Sequence, residues 1–181
     1  PADSGQSAIA QSAAQDVTRK LKAMRPALHT KNLLVWNSGA NTDQVKEVST
    51  TAAGVVLGRL FERKREGREA HVETPLVVTT ESQLAVQGAD HLLQDYWGRY
   101  VAFVRSERSG LTWVLRDPSG GLPCFFALYR GVFVFFSHLE DYLALGLTSV
   151  SVNWPFIAAY LVNPALQQPQ TGLREVSEVL K

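Results

Sequence analysis

The chain has 181 residues, 45% of them hydrophobic and 19% charged, which excludes a fibrous or wholly disordered protein and fits one ordinary globular domain or two small ones. A chain of this length buries roughly 70% of the surface it exposes when unfolded, so a core needs no disulfide or metal staple. Eighteen Lys and Arg against 17 Asp and Glu leave a net charge of +1, too weak a field to draw in nucleic acid or an anionic membrane.

The first sixteen residues are mainly Ala, Ser and Gln, with neither the basic nor the apolar region of a secretory signal, so a cytoplasmic protein is expected. From Asp16 onward Val17, Leu21, Met24 and Leu28 line one face of a helix that Pro26 frays or ends. A strand is predicted at residues 33–36, then a turn or open loop at residues 37–41, with little pattern as far as residue 53. Residues 55–61, Val-Val-Leu-Gly-Arg-Leu-Phe, read as a strand covered on both faces, with Arg59 the exception. Residues 62–73 mix five basic and four acidic side chains and read as a solvated loop.

After a short strand at residues 76–78, Thr79 or Thr80 caps a brief helix that stops at Gly88, and Asp90 caps another through Leu93. Four strands are then predicted in quick succession, at residues 100–104, 111–115, 123–128 and 132–136, forming an antiparallel meander. Helices close the chain at residues 139–145 and 154–161, the second with Asn153 as its N-cap and Pro155 in its first turn. Turns this short exclude parallel crossovers, which leaves an α+β fold of antiparallel sheets over residues 1–181 as a single domain. The longest apolar stretch, residues 120–136, is broken by Pro123, Arg130 and Gly131 and is no membrane span.

Three segments share an order and spacing: Tyr96-Trp97-Gly98-Arg99-Tyr100-Val101-Ala102-Phe103, Arg116-Asp117-Pro118-Ser119-Gly120-Gly121-Leu122-Pro123 and Phe135-Phe136-Ser137. They resemble the N-terminal, class II glutamine amidotransferase-like domain of the asparagine synthetase family, and the Trp-Gly-Arg-Tyr and Arg-Asp-Pro-Ser-Gly versions look most like the lasso peptide cyclases. The resemblance runs from about Val55 to the C-terminus. It implies an N-terminal-nucleophile αββα sandwich, two antiparallel sheets between helix layers. Asp117 and Pro118 suit the first two positions of a type I turn, Arg116 can pair locally, and Trp97, Tyr100 and Phe103 are ordinary sheet-packing aromatics.

A glutaminase of that family needs cysteine as residue one of its mature chain, where the α-amine serves as base and the thiolate attacks the amide. This sequence begins Pro1-Ala2-Asp3, and its single cysteine, Cys124, follows Pro123 in an expected interior strand, where it reads as a small buried hydrophobe. The family's Asn-Gly-Glu strand aligns with Leu57-Gly58-Arg59. Leu57 has no donor for a developing oxyanion, and Arg59 reverses the charge that would meet the substrate's ammonium. The family's Gly-Ser-Asp segment falls near Thr80-Glu81-Ser82, where the resemblance implies Glu81 in place of the aspartate, while the residues themselves fit an ordinary helix cap better. No catalytic residue is therefore assigned. Gly58, Arg59 and Glu81 are candidate binding residues, and Trp97, Gly98, Arg116, Asp117, Gly120 and Pro123 form the structural motif.

His29, His71, His91 and His138 show no metal-ligand spacing, so no metal site is expected. Ser137, His138, Glu140 and Asp141 supply triad residue types, but their adjacency fits a helix entry better. No phosphate loop is evident. The resemblance thus implies a degenerate glutaminase-like domain of an ATP-dependent amide ligase, a lasso peptide cyclase, with no cofactor of its own. ATP and Mg belong to a C-terminal synthetase domain, which the last residues approach in the family's manner. The partners implied are that domain, the precursor peptide and its processing protease, with no nucleic acid and no membrane. Two alternatives stay open: a free-standing module that binds an anion near Gly58 and Arg59, and a truncated glutamine-hydrolysing asparagine synthetase.

Overall fold

The computed structural model describes residues 3–21, 24–30, 33–37, 45–48, 54–63, 90–105, 109–165 and 168–180. The fold is α+β, with three antiparallel sheets and helices. Helix α1 is Asp3–Lys20, α2 Asp90–Asp95, α3 Leu139–Leu145 and α4 Trp154–Val162. The strands are β1 Arg25–His29, β2 Leu34–Asn37, β3 Val45–Val48, β4 Gly54–Glu62, β5 Tyr96–Arg105, β6 Thr112–Arg116, β7 Phe125–Tyr129, β8 Val132–Phe136 and β9 Ser177–Glu178. The loop expected at residues 38–41, the charged segment beyond Arg63, the strand at 76–78 and the helix ending at Gly88 lie outside the described residues. Among the described residues no helix is long and apolar enough to cross a membrane.

The chain divides into two compact units, one of Pro1–Lys22 with Pro123–Leu180, the other of Ala23–Leu122. In the second, β1 and β2 form a hairpin, and β3-β4-β5-β6 form a four-stranded sheet. Strands β4 and β5 pair without interruption over nine residues, from Gly54 opposite Val104 to Glu62 opposite Tyr96. Alternation then sorts their side chains. Val56, Leu60, Tyr96, Tyr100, Ala102 and Val104 share one face and join Leu92 of α2 in a buried cluster that Leu115 flanks. Each large side chain in such a cluster contributes about 1.5–3 kcal/mol of transfer free energy. The Tyr100 hydroxyl donates to the Leu92 carbonyl at 3.2 Å, which fixes α2 over this face. On the opposite face Val55, Val101 and Phe103 are buried while Arg59 and Arg99 are exposed. The two-sided burial expected of β4 therefore holds at Val55 and Val56 and fades toward Arg59.

In the other unit β7 lies between β8 and β9. Ala127, Tyr142 and Val176 are buried together with Phe125, Val134, Phe136 and Leu139 packed against them. The Phe136 and Tyr142 rings stack at 4.4 Å, pinning α3 on the sheet. Asn153 caps α4 as expected, its side-chain oxygen accepting from the Phe156 N–H at 3.4 Å, with Pro155 in the first turn.

Three expectations need correction. The first helix runs from Asp3 to Lys20 rather than onward from Asp16, and Leu28 belongs to β1. Alanine-rich sequence propagates helix well, and Ala13 and Val17, four apart, supply its buried contacts. Pro26 is incompatible with a helix interior and sits where the β1–β2 register shifts, a place that tolerates its missing N–H. The little-patterned stretch 37–53 contains β3, paired with β4. Finally, the four-strand meander breaks in the middle: β6 pairs with β5, whereas β7 pairs with β8 and β9. The residues after β6 do not turn back into a ladder because the carbonyls of Gly120 and Leu122 are taken by the Arg116 guanidinium, each at 2.8 Å.

Candidate functional site

The exposed end of the β4–β5 face brings together what the sequence kept apart. Successive register pairs are Gly58 with Tyr100, Arg59 with Arg99, Leu60 with Gly98 and Phe61 with Trp97. Arg59 and Arg99 thus stand directly opposite each other on one face, and Phe61 and Trp97 follow on the same face, their rings stacked at 4.8 Å. Trp97 is 43% exposed.

The two glycines flank this row on the other face. Gly58 has φ 110° and Gly98 φ 148°. A Cβ on Gly58 would come within 2.1 Å of the Arg99 carbonyl oxygen, and one on Gly98 within 2.1 Å of the Arg59 carbonyl oxygen. Each glycine therefore admits the backbone of the facing arginine to a distance that no side chain permits.

Arg99 is tied down. Its Nε and one terminal nitrogen donate to the Gly121 carbonyl at 3.1 and 2.7 Å. Arg59 is exposed and has no hydrogen-bond or ion-pair partner among the described residues. Leu57, half-buried, adds no polar group beside it. Glu81 lies outside the described residues.

The Arg116–Gly120 segment is a lock. Asp117 is fully buried; its carboxylate accepts from the Tyr100 N–H at 3.2 Å, the Ser119 N–H at 2.9 Å and the Ser119 hydroxyl. The Asp117 N–H donates to the Tyr100 carbonyl at 3.0 Å, and the Gly120 N–H closes the turn on the Asp117 carbonyl at 2.9 Å. Asp117 thereby joins the turn to the middle of β5, a structural role matching the bland account of this motif. Burial pushes the Tyr100 hydroxyl up to about 12, the Asp117 charge adding to the effect and Arg63 opposing it. Pro123 is exposed and precedes β7 instead of opening it.

Other groups carry less chemistry. Cys124, the one cysteine of the sequence, is buried, 3% exposed. The Ser137 hydroxyl lies 2.9 Å from Nδ1 of His138, and Asp141 lies 4.0 Å from that same nitrogen. A proton relay needs opposite ring nitrogens, so this trio is a helix entry. His91 is buried with Nδ1 2.7 Å from the Asp95 carboxylate, and its Nε2 has no hydrogen-bond partner among the described residues. Among the described residues no group of three or more His, Cys, Asp and Glu could hold a metal ion.

Arg99 and Phe61 were not singled out by sequence reasoning, because the strand carrying Arg99 was expected to begin only at Tyr100. Gly-Arg occurs three times, at 58–59, 67–68 and 98–99, and the two instances flanked by apolar or aromatic residues are the signal that could have found the pair. No family model, curated protein or solved structure matches the chain.

Proposed function

We propose that this chain is a glutaminase-like domain that has lost its glutaminase chemistry, within an ATP-dependent amide-forming ligase of the asparagine synthetase kind, in the branch that cyclises lasso peptides. Its fold in this reading is the N-terminal-nucleophile αββα type, for which the antiparallel sheets and their helices are the parts. Its task is passive: it packs on a synthetase domain that carries ATP and Mg, and helps hold the precursor peptide brought by a processing protease, in the cytoplasm.

The observation that carries this reading is the strand Leu57-Gly58-Arg59. A glutaminase site presents an oxyanion donor and a carboxylate for the substrate's ammonium at these positions. Here the donor position is leucine and the carboxylate position is an arginine whose register partner is a second arginine. Two adjacent positive charges repel glutamine's ammonium, and loss of one oxyanion donor alone lowers a rate by about 10²–10³. The exposed apolar surface of α4 adds support for a docking role, since Trp154, Leu161 and Val162 are 68, 77 and 86% exposed.

The test is amide formation by the intact parent protein with ATP, magnesium and precursor peptide, run with and without glutamine. Cyclised product in the absence of glutamine, with no glutamate released when glutamine is present, is the expected result. Product that depends on glutamine or ammonia, or glutamate appearing above the no-enzyme rate, would overturn the reading.

A further inference from the structure

Like charges set directly opposite each other across an antiparallel pair are destabilising, so the facing Arg59 and Arg99 are a cost the sheet bears with no return among the described residues. Arg99 is relieved in part by its two bonds to the Gly121 carbonyl. Gly121 itself is shaped to this arrangement, since a Cβ there would lie 2.7 Å from Arg99 Cγ. Among the described residues none takes an N–H of Arg59, whose five donors form a planar fork that matches a carboxylate or phosphate edge. The next register pair on that face is the stacked, partly exposed Phe61–Trp97. A charged fork and a partly exposed aromatic pair are therefore neighbours on one face of a sheet whose backbone spacing Gly58 and Gly98 hold close.

We infer that this face binds an oxyanion carried on a flat apolar group, the oxyanion meeting Arg59 in the field of Arg99 and the flat group packing against the exposed part of Trp97, whose ring is backed by Phe61. Charge-assisted, bidentate contact to Arg59 supplies orientation, and the aromatic pair supplies apolar area. Because the arginines are exposed, binding weakens as salt rises. The inference deepens the expectation of an anion at Arg59 and does not depend on membership of an amide ligase.

The test is calorimetric titration of the whole chain with benzoate, phenyl phosphate and inorganic phosphate, with Trp fluorescence followed in parallel. The two aromatic anions are expected to bind at least ten-fold tighter than inorganic phosphate and to change Trp97 emission; the tighter of the two says whether carboxylate or phosphate is preferred. Arg59→Gln should weaken both aromatic anions at least ten-fold without lowering the unfolding temperature, since Arg59 anchors nothing else among the described residues and its removal relieves the charge facing Arg99. Trp97→Leu should bring the aromatic anions down to the affinity of inorganic phosphate. Arg130→Gln, an exposed arginine in the other unit, should change nothing. Equal affinity in wild type and Arg59→Gln, an Arg130→Gln effect as large as that of Arg59→Gln, or no binding by any probe at ten millimolar (on the order of the weakest affinities of use here) would each overturn the proposal. Failure of these titrations leaves amide formation without glutamine intact, and the converse also holds, so the two readings fall separately.

Discussion

Asp117 shows how one buried carboxylate organises a region. It accepts from the backbone of β5 and from the turn that follows β6, so removing it strands the Tyr100 N–H in an apolar core. Asp117→Ala is expected to lower stability by about 3 kcal/mol in urea denaturation, and a loss under about 1 kcal/mol would refute this role. Its neighbour Tyr100 makes a separate prediction about pH. The Tyr100 pKa is raised in the folded state, to about 12 from an ordinary 10.0, so the folded protein holds this proton where the unfolded chain releases it. The group's contribution is complete below pH 10, falls by up to about 1.4 kcal/mol per pH unit above that, and levels off beyond the folded value. Alkaline absorbance titration should show one late tyrosinate transition that disappears in Tyr100→Phe. Glu175 illustrates the opposite direction: hydrogen bonds from the Ser151 N–H and hydroxyl hold its carboxyl below the usual range, although it is fully exposed.

Among the elements, those with strong local signals were read well from sequence. Strand β8 and helix α3 have the expected bounds, and α4 extends by one residue. In each, hydrophobic pattern, turn residues and capping agree. Asn153 is the clearest case, and its side chain also donates to the Thr171 carbonyl at 3.1 Å. Asn153→Ala should destabilise the unit containing α4 by about 1 kcal/mol, and Asn153→Asp should recover the share due to the cap but not the share due to Thr171. If Asn153→Ala and wild type unfold at the same denaturant concentration, the cap has no energetic role. Elements defined by their neighbours were harder to read. Strand β3 is four residues long and becomes a strand through pairing with β4. The first four residues of β5 carry Gly98 and Arg99, weak strand formers, and are extended because Leu60, Phe61 and Glu62 face them.

At the level of the whole chain, the sequence alone was enough for the class of fold: short turns forbid parallel crossovers, so antiparallel sheets with helices follow from connection length. It was also enough to separate Arg59 from an otherwise apolar strand, because a charge breaking such a pattern is visible without coordinates. What remained hidden was every relation that depends on register. A period-two alternation states which residues share a face but not which residue of a distant strand stands opposite, and forty residues separate Arg59 from Arg99. Only the pairing of β4 with β5 set those two arginines opposite each other, put Phe61 against Trp97 and gave Gly58 and Gly98 their reason. The same holds for the broken meander, where the fate of a few carbonyls after Arg116 decided which strands could pair. Local chemistry writes the elements into the chain, while nonlocal hydrogen bonding between strands composes the site.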